Sequence, residues 1–199
     1  MSDDTADRHL VERALGSEAL LEGGFLHVRR DTVELPDGAQ ATREYIRHPG
    51  AVAVIPLLDD GRLLLERQWR HPVGRVLLEL PAGKLDAGEG ALACAVRELR
   101  EETGYTAREW AFAARVHSAC AYSTEAIELW FARGLQPGPQ RLDEGEFIET
   151  IACTVDELDA LAARGELTDA KTLIGLLWFQ RWHAGRWPLR WEQAVTMPG

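Results

Sequence analysis

Between Gly83 and Gly104 the residue pattern dictates a strand end, a tight loop and a capped helix in succession. Val76 to Leu80 is apolar and extended in character, and Pro81-Ala82-Gly83 ends it. A helix is expected from about Gly90 to Thr103, with Gly104 as its C-terminal cap. Leu92, Val96 and Leu99 follow the i, i+4, i+7 spacing of a buried stripe. Away from that stripe sit three carboxylates, Glu98, Glu101 and Glu102. With Glu98 at zero and about 100° per residue, Glu102 falls at about +40° and Glu101 at about −60°. Three like charges on one face repel. A cation between them relieves the repulsion, and carboxylate oxygens suit Mg²⁺, Mn²⁺ or Ca²⁺.

The full spacing is Gly83-x5-Glu89-x7-Arg97-Glu98-Leu99-x-Glu101-Glu102-x-Gly104-Tyr105. At ordinary residue frequencies, a chance match at seven fixed positions is on the order of one in a million for a chain this long. A solvated glutamate-rich face is therefore the weaker explanation. The residue types also act together. Gly83 lets the backbone turn tightly and leaves the Ala82 carbonyl free to approach a metal. Arg97 can orient one carboxylate by a forked, charge-assisted bond.

This stretch resembles the Nudix box, the signature of hydrolases that cleave nucleoside diphosphates linked to another moiety; Tyr105 stands where the family has an aliphatic residue. The resemblance implies that Glu98 and Glu102 bind metal, that Glu101 assists, and that Ala82 contributes its carbonyl. It also implies Mg²⁺ as cofactor, with Mn²⁺ able to substitute. The Glu102 side chain is expected to be exposed at the metal site.

The rest of the chain fits a single domain with a small appendage. Residues 1–16 read as loose. A meander follows from Ala19 to Arg47, with strands at 25–33 and 41–46 around the Pro36-Asp37-Gly38 turn. His48-Pro49-Gly50 reads as a boundary, which places an N-terminal strand region at 1–48 and the hydrolase domain at 49–199. Ala51 to Leu58 is a continuous apolar run suited to a buried strand. Asp59-Asp60-Gly61 turns it into Arg62 to Trp69. Further strands are expected at 110–117, 126–133 and 147–153, and helices at Val155 to Arg164 and Asp169 to His183. The second of these helices carries Leu173, Leu176, Leu177 and Phe179. The fold class is α/β (α+β), a Nudix fold with a mixed sheet sandwiched between helices. A small N-terminal antiparallel sheet accompanies it.

The net charge of −10 argues against a nucleic-acid surface, which needs clustered Lys and Arg. Cys94, Cys120 and Cys153 are scattered, so neither a disulfide framework nor a zinc site is expected. The polar start of the chain lacks the character of a signal peptide, and no apolar run reaches membrane-spanning length. The expectation is a cytoplasmic protein with no membrane partner. Trp178, Trp182, Trp187 and Trp191 read as packing groups for the C-terminal part.

Outside the box, His48 to Val54, Glu66 to Gly74 and Leu78 to Lys84 resemble the ADP-ribose pyrophosphatase branch. That branch implies a homodimer with exchanged N-terminal strands and a shared active site. It implies substrate roles for Arg70 and Glu79; a surface salt bridge is the competing reading of Arg70. The loop Leu142 to Glu149 resembles the one that supplies the general base, with Glu144 the first choice and Glu146 the second. An ordinary acidic turn is the alternative. Tyr122 can stack on a base or sugar, or simply pack. The branch's loop proline and neighbouring glycine are replaced by Cys120 and Ala121, whereas Ser123 and Glu125 fit. The implied reaction is Mg²⁺-dependent hydrolysis of ADP-ribose to AMP and ribose 5-phosphate. Alternatives are a broad NDP-sugar or GDP-mannose hydrolase, and a non-catalytic nucleotide-sensing module.

Overall fold

The computed structural model describes residues 7–193, which form two compact units. The first holds the chain up to Pro49 together with Ala119–Glu125. Its strands β1 (Arg13–Glu22), β2 (His27–Glu34) and β3 (Gln40–Ile46) make an antiparallel sheet in that order. Strand β1 begins within the stretch expected to be loose. All ten of its residues are exposed, so no inward-facing apolar alternation marks it in the sequence.

The second unit, Gly50–Ser118 and Ala126 onward, contains the other elements. These are β4 (Ala51–Leu57), β5 (Leu63–Arg70), β6 (Arg75–Glu79), β7 (Ala82–Lys84), α1 (Ala91–Thr103), β8 (Tyr105–Thr106) and β9 (Glu109–Val116). They continue with β10 (Ile127–Arg133), β11 (Gln136–Pro137), β12 (Ile148–Cys153), α2 (Val155–Ala163), α3 (Ala170–His183) and β13 (Glu192–Gln193). The main sheet runs β12-β5-β4-β10-β9-β13, with β6 on β5 and β7 on β4. Only β4 and β10 are parallel, which makes the sheet mixed.

Strand β4 has an unbroken apolar sequence because both its faces are covered. Val52 and Val54 pack with Cys94, Ala95 and Leu99 of α1. Ile55 packs with Leu158 of α2 and with Leu176 and Phe179 of α3. Helices therefore cover both sides of this sheet. On α3, Leu173 and Leu177 are only partly covered. The tryptophans join the C-terminal part to the body: Trp178 meets Trp187 at 4.4 Å between ring centroids, and Trp182 meets Trp191 at 5.9 Å. Among the described residues, no helix is long and apolar enough to cross a membrane.

Helix α1 shows why its ends lie where they do. Gly104 caps it at φ +77°, donating its N–H to the Arg100 carbonyl at 2.9 Å. A Cβ at Gly104 would also press on the Gly138–Gln140 backbone, so glycine is needed there for two reasons. The buried stripe is rotated from the expected one. Cys94, Ala95, Leu99, Glu102 and Thr103 are buried, while Leu92 and Val96 are only partly covered. Glu102 thus points into the protein.

Candidate metal and active site

Strand β7 and the last turns of α1 form the centre of the site. Ala82 and Gly83 pair with Ala53 and Val52 of β4, which fixes their backbone. Glu102 reaches across and accepts the Ala82 N–H at 2.9 Å. Glu98, one turn earlier, lies against Gly83 so closely that an added Cβ would overlap its carboxylate. Gly83 is not at positive φ. Its role is to make room for Glu98 rather than to permit a tight turn, which corrects the sequence-based reason for it.

Arg97 hydrogen-bonds three carboxylates instead of one. It donates to Glu89 through Nε and Nη2, both at 2.9 Å. Its Nη1 donates to Glu98 at 2.7 Å and to Glu101 at 3.1 Å, and Nη2 also reaches the Lys84 carbonyl. Glu89 accepts the Asp86 N–H at 3.0 Å as well. The hydrogen bonds from Arg97 pull the Glu89 carboxyl down to about 2. Glu89 therefore ties the 84–90 loop to α1.

Glu102 is only 5% exposed, contrary to the expectation of an exposed side chain. Burial raises its pKa, and the charges of Glu66 and Glu98 raise it further. Glu66, 2% exposed, shares a hydrogen bond with Glu102 and is likewise pushed up, chiefly by burial. Its Oε1 is buried without a hydrogen-bond partner. Glu98 is also raised, first by burial and then, against the pull of Arg97, by Glu101 and Glu146.

Sequence reasoning missed Glu66 as part of this group. The available signal was a glutamate ending the apolar run Leu63-Leu64-Leu65. A buried carboxylate there has no apolar explanation. Glu66 stands directly opposite Glu79 in the β5–β6 ladder. Burial raises the Glu79 pKa, but hydrogen bonds from Arg70 and the nearby Lys171 charge outweigh it and leave it below the ordinary value. Arg70 binds Glu79 through Nε at 2.7 Å and Nη2 at 2.9 Å. Arg70 is thus in a salt bridge and still partly open to solvent.

In the loop before β12, Glu144 is exposed and Glu146 is half-buried. The Glu146 charge is the smallest of the influences that raise the Glu98 pKa. Tyr122 is exposed and belongs to the first unit, in the segment bonded to β3. A separate cavity of about 950 Å³ opens at the C-terminal ends of β4 and β10, lined by Leu57, Arg133, Val155 and Trp182 among others. It contains none of the expected site residues.

The side chains gathered at β7 and α1 are carboxylates, the chemistry preferred by Mg²⁺ and Mn²⁺. The close seat of Glu98 on Gly83 and the unpartnered oxygen of Glu66 both fit a cation at this point. Among the described residues, no three His, Cys, Asp or Glu side chains hold an ion as they stand. Arg97 engages one oxygen of each of two carboxylates, Glu98 Oε1 and Glu101 Oε2, and so orients both.

Residues 47–192 match the NUDIX domain. The chain belongs to the Nudix family. Residues 12–46 match the nucleoside diphosphate sugar hydrolase N-terminal domain. This Nudix hydrolase is 34% identical over 175 residues to an ADP-ribose pyrophosphatase of Bacillus subtilis, covering 87% of this chain and 95% of that one. It is 36% identical over 166 residues to an ADP-ribose pyrophosphatase of Mycobacterium tuberculosis, covering 82% and 80% respectively. A crystal structure of an ADP compounds hydrolase shares the fold at a TM-score of 0.80 and 24% identity, covering 89% of this chain and 97% of that one.

Proposed function

We propose that this Nudix enzyme hydrolyses the pyrophosphate bond of ADP-ribose or a closely related nucleoside diphosphate sugar, using Mg²⁺ or Mn²⁺. From ADP-ribose the products are AMP and ribose 5-phosphate. The observation that carries the reading is the placement of Glu98 and Glu102 on the Ala82–Gly83 backbone, one beside Gly83 and the other on the Ala82 N–H. A divalent ion held by Glu98, Glu102 and the Ala82 carbonyl would neutralise diphosphate oxygens and acidify a bound water.

The chain's own groups supply the rest. Water attacks one phosphorus, a new P–O bond forms, and the bridging P–O bond breaks with its electron pair leaving on the second phosphate. The water's proton passes to a loop carboxylate. Glu146 is favoured for this step over Glu144 because its charge acts on Glu98. Arg97 keeps Glu98 and Glu101 oriented, and Arg70 offers its remaining Nη1 to a phosphate or terminal ribose. Tyr122 is the stacking candidate. A homodimer fits the exposed β1, whose Leu15, Leu20 and Leu21 are only partly covered.

A broader NDP-sugar range, GDP-mannose included, is the second reading, favoured by Cys120 and Ala121 in place of proline and glycine. A sensing role has less support, since a sensor has no need of all four box glutamates. Hydrolysis measured across ADP-ribose, other NDP-sugars, dinucleotides and NTPs separates these readings.

A further inference from the structure

The first turn of α3 is joined to the end of β6 by two links. Asp169 caps the helix, accepting the Thr172 N–H at 2.9 Å and the Thr172 hydroxyl at 2.6 Å. The same Thr172 oxygen accepts the Leu80 N–H at 2.8 Å. One residue earlier on the helix, Lys171 donates to Glu79 Oε2 and pairs with Asp169 at 3.1 Å. Lys171 is 9% exposed and Glu79 2% exposed. A lysine and a glutamate buried to this degree are costly unless held in good geometry. Lys171 lies outside the box, far along the chain from Glu79.

We propose that Lys171 is a positioning residue for substrate binding: by holding Glu79 from the helix side, it fixes the carboxylate that orients the Arg70 guanidinium on the strand side. Glu79 Oε2 accepts from both Arg70 Nη2 and Lys171 Nζ, while Oε1 accepts Arg70 Nε. With Oε2 held by Lys171, the carboxylate plane is set and the Arg70 fork is set with it. Without Lys171 the carboxylate can rotate, and Arg70 loses its fixed direction. A misplaced binding group weakens the grip on substrate. The proposal rests on the reading of Arg70 as a substrate contact.

The test is a double-mutant cycle on the full chain with ADP-ribose and Mg²⁺, using Arg70→Ala, Lys171→Met and the pair. Arg70→Ala should raise KM about tenfold, and Lys171→Met about fivefold, each with kcat changed by less than about threefold. In the Arg70→Ala background, Lys171→Met should add nothing to KM. Independent effects of the two substitutions on KM would overturn the proposal while leaving Arg70 as a substrate contact. An unchanged KM for Arg70→Ala would overturn that reading and the proposal with it. Should Lys171→Met not fold, Lys171→Gln keeps a polar side chain without the charge and leaves Glu79 in place; it should raise KM in the same way, again adding nothing in the Arg70→Ala background, and an unchanged KM would overturn the proposal. An NMR readout needs no turnover. The Arg70 Nε proton, assigned by its loss in Arg70→Lys, should exchange at least about tenfold faster in whichever Lys171 variant folds. Unchanged exchange overturns the proposal.

Discussion

Glu102 accepts the Ala82 N–H at 2.9 Å while sharing a hydrogen bond with the buried Glu66. The residue expected to hold metal is therefore also a buried acid next to another buried acid. In the metal-free protein this is a cost to stability, because burial disfavours the charged form of both.

Glu102→Gln keeps an acceptor for Ala82 and a group able to bond Glu66, but removes the charge. The account expects turnover to fall by about 10³-fold or more. In EDTA, the variant should be more stable than the wild type at pH 8 by about 1 kcal/mol or more. The sign follows from the raised pKa. A raised carboxyl contributes stability below its unfolded value of about 4.3 and loses it as pH rises through the folded value. The advantage of the variant should therefore grow with pH. Thermal unfolding at pH 5 and pH 8 measures it, and a less stable variant at both would contradict the account.

Gly83→Ala should displace Glu98, whose carboxylate occupies the space of the new Cβ. Mn²⁺ affinity, followed by titration of the free-ion EPR signal, should fall about tenfold or more. The backbone conformation at this position accepts alanine, so the fold should survive. Unchanged affinity would show that Glu98 has no part in holding the ion.

Glu89→Gln should destabilise the protein by about 2–3 kcal/mol at neutral pH, from the shift of its carboxyl to about 2. A lowered pKa contributes stability above the unfolded value, and this is lost as pH falls through the folded one. The gap between variant and wild type should close from about pH 4.5 down to about pH 2. Denaturant unfolding across that window checks it; a gap that persists at pH 2 contradicts the assignment to Glu89 and Arg97.

Glu146→Gln should lower kcat by about 10²–10⁴-fold with little change in KM, as loss of a general base does. Glu144→Gln should cost less than about fivefold. Steady-state kinetics on the two variants decides between them, and the reverse order would return the base to Glu144.

Much of this was legible in the sequence because the box is local. Gly83, Glu89, Arg97, Glu98 and Gly104 act within one strand, loop and helix, so their spacing reports their geometry. The two-sided cover of β4 was legible for the same reason, as an unbroken apolar run. The partners of Glu79 and Glu102 were not, because Lys171 and Glu66 reach them from distant parts of the chain. Strand β1 escaped notice because no face of it is buried. The rotation of α1 that buries Glu102 was hidden as well. Small Cys94 and Ala95 lie at the centre of its packed face, where hydrophobicity alone favours Leu92 and Val96.

The central claim, a metal-dependent diphosphate hydrolase acting on ADP-ribose or a close relative, is tested most directly by product analysis. Purified protein is incubated with Mg²⁺ and, in separate reactions, ADP-ribose, ADP-glucose, GDP-mannose, a dinucleotide and ATP. The account predicts AMP and ribose 5-phosphate from ADP-ribose, abolished by EDTA and restored by Mg²⁺ or Mn²⁺. No turnover of any diphosphate with either metal would contradict it.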